Sequence, residues 1–117
     1  NNPDADDAVI EKFRKMPYRA PLIVILVTNY KENMGVPEIE QMMSTACSAQ
    51  SILLALNALH YSGMWRTGKL SFNESISNLL GLQKNETVIG YLYVGTNVGP
   101  KKQKDTLNNS DYVEIWS

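Results

Sequence analysis

The apolar residues of this chain form an unbroken run at residues 22–27, directly after Pro21. Because no polar residue alternates with the apolar ones, the run predicts a central strand covered on both faces. A second strand is predicted over residues 87–95, a stretch rich in β-branched and aromatic residues.

Helical periodicity flanks the first strand. Residues 4–16 place apolar side chains at the i, i+4 and i+5 spacing of one helix face. The longest element is predicted from Pro37 to about Tyr61, with residues 62–63 ending it. Its second half, residues 52–59, is apolar nearly all round, and one small chain cannot enclose such a helix. We therefore expect residues 52–59 to lie in an oligomer interface.

The remaining elements are short. Ser71 and Glu74 have the spacing of a capping box, which predicts a helix from Phe72 to about Gly81. Residues 95–109 are polar and are expected to form a surface arm, whereas residues 112–116 alternate and suit an edge strand added to a partner. The order of elements predicts a mixed α and β fold with too few strands to complete a sheet alone.

Composition narrows the function classes. The chain has 117 residues, enough for a single domain, and its 11 basic and 12 acidic residues give a net charge of −1. That balance is unlike a nucleic-acid-binding surface, so no nucleic-acid partner is expected. No apolar run approaches the roughly 18 residues of a membrane span, and no membrane partner is expected. The single cysteine, Cys47, indicates a reducing, cytoplasmic setting and is expected to be a buried, inert thiol.

Few residues are placed to carry chemistry. His60 is the sole histidine and has no acidic neighbour one turn away, so no metal site is expected. The segment 63–68 is different, because Trp65, Arg66 and Thr67 follow one another between glycines that allow close backbone approach. A structural hairpin and a ligand site are about equally compatible with this composition. No catalytic side chain is predicted.

An ordered set of motifs resembles one family. Arg19-Ala20-Pro21 before the apolar strand, residues 37–49 opening the long helix, the segment Gly63-Met64-Trp65-Arg66-Thr67-Gly68 and residues 89–96 are similar to the small FMN-dependent nitroreductases. The likeness is to the minimal bacterial NAD(P)H nitroreductases in particular and runs from about residue 6 to residue 96. The resemblance rests on the order and spacing of these motifs together, since no single motif is diagnostic.

The resemblance implies an intertwined α+β homodimer with a central, mostly antiparallel sheet flanked by helices and FMN in the subunit interface. It implies hydride transfer from NADH or NADPH through FMN to a small, flat acceptor such as a nitroaromatic or a quinone. Trp65, Arg66 and Thr67 match the family's FMN-contacting stretch, and Trp65 is expected to cover a ring face beside Arg66. A second match places NAD(P)H contacts at Ala55, Leu56, Asn57, Ala58, Leu59 and His60.

One part of the family pattern is not found. In the family, an arginine- and serine-rich motif in the first helix holds the flavin phosphate, and residues 1–19 contain no such motif. We therefore interpret residues 1–117 as a single nitroreductase-like domain that lacks its N-terminal phosphate-binding third. Two alternatives stay open: a non-catalytic dimeric binding module of the same fold, and a flavin-dependent dehalogenase or flavin-degrading relative.

Overall fold

A computed structural model describes residues 11–12, 14–32, 35–69, 71–100 and 103–116. The strands are β1 (Leu22–Asn29), β2 (Ser62–Arg66) and β3 (Glu86–Gly95), and the helices are α1 (Glu38–Ala58) and α2 (Glu74–Leu79). Short 3-10 turns occupy Met16–Arg19 and Asn109–Asp111. Most of the helix predicted over residues 4–16 lies outside the described residues. Within the described part, residues 11–12 and 14–15 are helical.

The three strands form one antiparallel sheet in the order β1-β3-β2. In its register Leu22 of β1 lies opposite Val94 of β3, and Ser62 of β2 lies opposite Gly95. The predicted α+β class, with an antiparallel sheet and flanking helices, is confirmed. The predicted place of the first strand is wrong, because β1 is an edge strand and Leu22 is 53% exposed.

The helix α1 packs on one face of the sheet and forms the core. Ala49 of α1 and Leu92 of β3 have no exposed surface and belong to the same apolar cluster. Between the two layers, Thr28 Oγ1 of β1 donates a hydrogen bond to Thr45 Oγ1 of α1 at 2.9 Å. Helix and strand also approach closely at Gly63, where an added Cβ would meet a leucine side chain of α1 at 2.5 Å. A larger residue at that position would therefore require the leucine side chain to shift.

The long helix is confirmed but ends earlier than predicted. His60 adopts the left-handed conformation with φ of 62°. The Tyr61 amide donates to the Leu56 carbonyl at 2.8 Å and the His60 amide donates to the Asn57 carbonyl at 3.1 Å. This is the bonding of a Schellman C-cap, in which glycine is the usual left-handed residue. The predicted stop at residues 62–63 belongs to β2 instead.

The opposite side of α1 faces solvent in the single chain. Ile39, Met43 and Leu54 are 55%, 58% and 61% exposed, although all three are apolar. Their spacing places them on one side of the helix together with Cys47. Cys47 is exposed, so the prediction of a buried thiol is wrong. The apolar surface of α1 is thus shared between the core and an uncovered side.

The short helix α2 begins at a different cap from the predicted one. Asn73 is its N-cap, and the Asn73 Oδ1 accepts a hydrogen bond from the Ser75 amide at 2.9 Å. Ser71, the predicted cap, is 3% exposed and its Oγ has no hydrogen-bond partner. The helix ends before Gly81, which has φ of 70° as predicted for a C-terminal glycine.

The C-terminal segment does not join the sheet. Residues 112–116 form no strand, and Trp116 is 89% exposed. The radius of gyration of the chain is 18.0 Å, whereas a compact chain of this length has about 13 Å. Residues 112–116 therefore do not add a strand to the sheet of their own chain. Their addition as an edge strand to a partner's sheet stays a prediction.

Candidate functional site: a cationic cleft on the open face of the sheet

Alternation of side chains along the strands separates the core from a cleft on the other face. Trp65 of β2 is paired with Leu92 of β3, and both belong to the cluster under α1. Met64, Arg66 and Tyr93 therefore point to the opposite face. There they line a cleft of about 760 Å³, bounded by the Met16–Arg19 turn and the residues after β3. Polar groups of Ser62, Thr67, Thr96 and Asn97 also line it.

A second, smaller cavity of about 300 Å³ adjoins this cleft. The two share Met16, Arg66, Thr67 and Tyr93. The smaller cavity is mainly apolar, and its other walls come from β1, β3 and α2. They are formed by Ile23, Ile25, Tyr91, Ile76 and Leu80, with Pro17, Gly68 and Lys69 at the ends. We call the larger space the polar cleft and the smaller one the apolar cavity.

Of the residues predicted to contact FMN, Arg66 and Thr67 line both spaces, and Trp65 lines neither. The Trp65 side chain packs into the core, and its Nε1 is buried without a hydrogen-bond partner. An added Cβ at Gly90 would lie 2.8 Å from Trp65 Cδ1, so the indole uses the space that this glycine leaves. Within one chain Trp65 and Arg66 lie on opposite faces of the sheet, because neighbouring residues of a strand face opposite sides. The expected contact of Trp65 with FMN stays a prediction.

The residues predicted for NAD(P)H lie elsewhere. Ala55, Leu56, Asn57, Ala58, Leu59 and His60 form the C-terminal end of α1 and its cap, and none of them lines the polar cleft or the apolar cavity. Leu56 is half-buried against Gly63, and the other five are exposed. The structure therefore does not bring this set together with Arg66 and Thr67 within one chain.

Sequence reasoning missed three residues that line these spaces. Tyr91 and Tyr93 flank Leu92 on β3, and the period of two indicates that they share a face. Only the register shows that this is also the face of Arg66, which lies opposite Tyr91. Arg19 was noticed only as part of a motif before the strand, with no sign that it borders the cleft.

The two spaces are electropositive. The charged side chains among their described lining residues are Arg19, Arg66 and Lys69, and no carboxylate is among them. The net charge of the whole chain is −1, so positive charge is concentrated here. The ion pairs found among the described residues both involve Glu11, which leaves these three cations without a carboxylate partner in that part of the chain. Such a surface favours an anionic ligand.

The phenol of Tyr91 remains protonated near neutral pH. Burial raises the pKa of Tyr91, and the neighbouring Tyr93 raises it further. Tyr91 therefore adds no negative charge to the apolar cavity, whose described lining carries the positive charges of Arg66 and Lys69.

The described residues contain no cluster of three or more histidine, cysteine, aspartate or glutamate side chains suited to holding a metal ion. None of the described helices has both the length and the apolar character needed to cross a membrane.

Comparison with known proteins places the chain in one family. The family model described as "Nitroreductase family" matches residues 3–96. "Putative NAD(P)H nitroreductase YdjA" of Escherichia coli K12 is 37% identical over 92 residues, covering 79% of this chain and 50% of that protein. "Putative NAD(P)H nitroreductase" of Haemophilus influenzae is 23% identical over 112 residues, covering 94% of this chain and 61% of that protein. The chain thus spans about half the length of the Escherichia coli relative.

Solved structures agree at the level of the fold. A nitroreductase-like family protein from Bacillus cereus superposes with a TM-score of 0.75 at 17% identity, covering 95% of this chain and 61% of that one. A mutant of the FMN- and NADPH-dependent nitroreductase NfnB from sphigopyxis sp. strain HMH superposes with a TM-score of 0.62 at 17% identity. The match covers 94% of this chain and 51% of that one. Because the family model covers most of the sequence and the fold agrees, this chain belongs to the nitroreductase family.

Proposed function

We propose that the chain forms part of an FMN-dependent NAD(P)H oxidoreductase that reduces nitroaromatic or quinone-like acceptors. The observation that carries this proposal is the pairing of a cationic polar cleft with an apolar cavity in a member of the nitroreductase family. Relatives named as NAD(P)H nitroreductases support the donor, and a fold neighbour named as FMN- and NADPH-dependent supports the cofactor. A reducing, cytoplasmic setting belongs to the same proposal.

The residues present fit FMN. The ligand carries an anionic phosphate and a flat apolar ring system, and the described walls offer unpaired arginines next to apolar and aromatic side chains. The polar cleft, at about 760 Å³, lies in the range of 300–1,000 Å³ that is usual for ligand sites. Arg66 and Thr67 would hold the ligand where the two spaces meet. When bound, FMN accepts a hydride from NAD(P)H and passes electrons to the acceptor.

The chain's own residues would bind and orient rather than transfer protons. The Arg66 guanidinium can stabilise negative charge that develops near it. The neighbouring Trp65 helps to position it, since the partly buried indole packs β2 against the core. We therefore keep the proposal that no side chain of this chain acts as a general acid or nucleophile.

We also propose a homodimer, intertwined through the C-terminal residues. The uncovered apolar side of α1 supports a subunit interface, and the exposed residues 112–116 support addition to a partner. The proposed NAD(P)H contacts at Ala55 and the following residues to His60 do not line the cleft of their own chain. A donor bound there would be able to serve the cleft of a second copy.

Flavin reconstitution tests the proposal. The purified 117-residue chain, mixed with FMN, should quench the flavin fluorescence and remain yellow after removal of free flavin. It should then oxidise NADH or NADPH when a nitroaromatic or a quinone is added. If the chain takes up no FMN at about 1 mM, a concentration that detects even weak binding, the proposal is wrong for this chain.

A non-catalytic dimeric module is the second candidate. It is favoured by one observation, the uncovered apolar side of α1, which supports dimerisation and needs no flavin. A chain that dimerises yet takes up no flavin would support the module. A chain that binds FMN but acts only on halogenated aromatics would instead support the dehalogenase relative.

A further inference from the structure

The indole of Trp65 packs into the space left by a single glycine of β3. Gly90 follows an irregularity in the pairing with β1, because Leu26 lies opposite Gly90 and the next residue of β1 lies opposite Val88. Ile89 is therefore an extra residue, and a β-bulge of this kind redirects the side chains beside it. An added Cβ at Gly90 would meet the Trp65 indole nitrogen and would lie 2.8 Å from Trp65 Cδ1. The place of the indole thus depends on the side chain that Gly90 lacks.

We propose that Gly90 is a positioning residue, which keeps Trp65 in the core and thereby sets the place of Arg66 on the open face of the sheet. The proposal rests on the proposed function for the ligand, FMN, that Arg66 would contact. The same added Cβ would lie 3.1 Å from the Arg66 carbonyl oxygen. Because Trp65 and Arg66 are consecutive residues of β2, a shift of the indole also moves the backbone that carries the guanidinium. Gly90 lines neither the polar cleft nor the apolar cavity, so it acts on a ligand there only through β2.

The indole cannot yield to a new side chain as a flexible residue would. At Gly63 the atoms that an added Cβ would meet are the ends of leucine side chains, which can change rotamer. At Gly90 the neighbour is a rigid ring that packs against the cluster containing Leu92. Among the described residues no acceptor bonds the Trp65 Nε1, so packing alone holds the ring. A side chain at position 90 therefore displaces β2 instead of only rotating a neighbour.

A double-mutant cycle on FMN binding tests this role. Flavin fluorescence titrations compare the wild-type 117-residue chain with Gly90→Ala, Arg66→Gln and the double variant. Gly90→Ala should weaken FMN binding roughly tenfold. It should have no further effect beside Arg66→Gln, because the group that it misplaces is then absent. An equal loss in both backgrounds would overturn the role of Gly90, and so would an unchanged affinity of Gly90→Ala.

Val94→Ala is the matched control for a general loss of stability. Val94 is buried on the same face of β3, and its truncation removes atoms without crowding β2. Both alanine variants should melt at a lower temperature than the wild type. Only Gly90→Ala should lose FMN affinity when the titration is made well below melting. A similar loss of affinity in Val94→Ala would mean that destabilisation alone explains the effect, which overturns the proposal.

Replacement of the ring tests the route and covers the case in which Gly90→Ala does not fold. In a Trp65→Leu background position 90 faces a flexible side chain, so the added methyl group can be accommodated. Gly90→Ala should then fold and should cost no further FMN affinity relative to Trp65→Leu alone. A variant pair that still loses folding or affinity on addition of the methyl group would show that the effect does not pass through the indole.

A measurement without flavin separates this proposal from the proposed function. The chain has two tryptophans, so in a Trp116→Phe background acrylamide quenching of fluorescence reports the exposure of Trp65 alone. Gly90→Ala should increase the quenching, and Val94→Ala should not. A wild-type chain that takes up no FMN overturns the proposed function, while the quenching still decides whether Gly90 places the indole. Unchanged quenching in Gly90→Ala overturns that placement, whether or not the chain binds FMN.

Discussion

The two faces of the sheet are made from the same three strands, and they differ in how completely their side chains are covered. On the face under α1, Leu92 and Ala49 meet in a fully buried cluster. On the other face, Met64 is 54% exposed and Arg66 lines an open cleft. Strand alternation therefore divides one short segment, residues 64–66, between core packing and ligand binding.

The difference in coverage predicts where substitutions should be tolerated. Side chains on the covered face are close-packed, so removing atoms there leaves a cavity. Side chains on the open face can be changed in volume without such a cost, but they decide charge and shape in the candidate site. Substitutions on the covered face should therefore change the free energy of unfolding, and substitutions on the open face should change ligand binding.

The largest effect is expected at the centre of the covered face. Leu92→Ala should lower the free energy of unfolding by about 2–5 kcal/mol, because the leucine is fully buried. Met64→Ala, on the open face, should cost less than about 1 kcal/mol. Urea denaturation of both variants measures the difference. Similar losses for the two would remove the contrast between the faces.

The two sides of α1 extend the comparison to subunit assembly. Leu54, which is 61% exposed in the single chain, lies on the uncovered side that we assign to the dimer. Leu54→Glu should weaken the dimer roughly tenfold or more, about 1.4 kcal/mol, because it would bury an unpaired charge. Analytical ultracentrifugation measures the dissociation constant, with Glu38→Gln at the start of the same helix as the control. An unchanged constant for Leu54→Glu would place the interface elsewhere.

A substitution at the C-terminal cap of α1 should raise the stability of the chain instead of lowering it. His60 occupies a left-handed position that glycine adopts without steric cost. His60→Gly should therefore raise the stability of the flavin-free chain by up to about 1 kcal/mol. His60→Ala should lower it slightly, and thermal melting compares the two. A glycine variant less stable than wild type would mean that the imidazole makes a contact of its own.

The smallest effect is expected at the strand ends, outside both faces. Hydrogen bonds from the Gln83 amide and the Asn29 amide group lower the pKa of the exposed Glu86 carboxyl. A carboxyl whose pKa is lower in the folded state adds stability above its unfolded pKa and loses it as the pH falls through the folded pKa. Stability should thus decline slightly on acidification below about pH 4. Glu86→Gln should flatten that part of the curve, and an unaltered curve would mean that Glu86 contributes nothing.

The elements with a strong local signal were predictable. The apolar run of β1, the long apolar stretch of α1 and the glycine after α2 each carry their own pattern, and the structure confirms all three. The ordered motifs were also sufficient to identify the family, because a spacing shared over residues 3–96 does not depend on knowing any contact.

Details that depend on local competition were not predictable. Asn73, rather than Ser71, caps α2, since an asparagine two residues nearer the helix competes for the same amides. His60 ends α1, although a later glycine offered the stronger sequence signal, because β2 uses that glycine to approach the helix. In both cases tertiary packing selected among residues that each had a suitable local propensity.

Local sequence patterns specify the identity of the elements, their order and the segment in which Arg66 and Thr67 occur. Which side chains contact one another depends on the tertiary structure. The register of β2 on β3 turned Trp65 into the core and aligned Arg66 with Tyr91 on the other face. The Met16–Arg19 turn brought Arg19 to the same cleft from a distant part of the chain. Strand register and chain reversal set distances between residues far apart in sequence, and no local pattern encodes those distances.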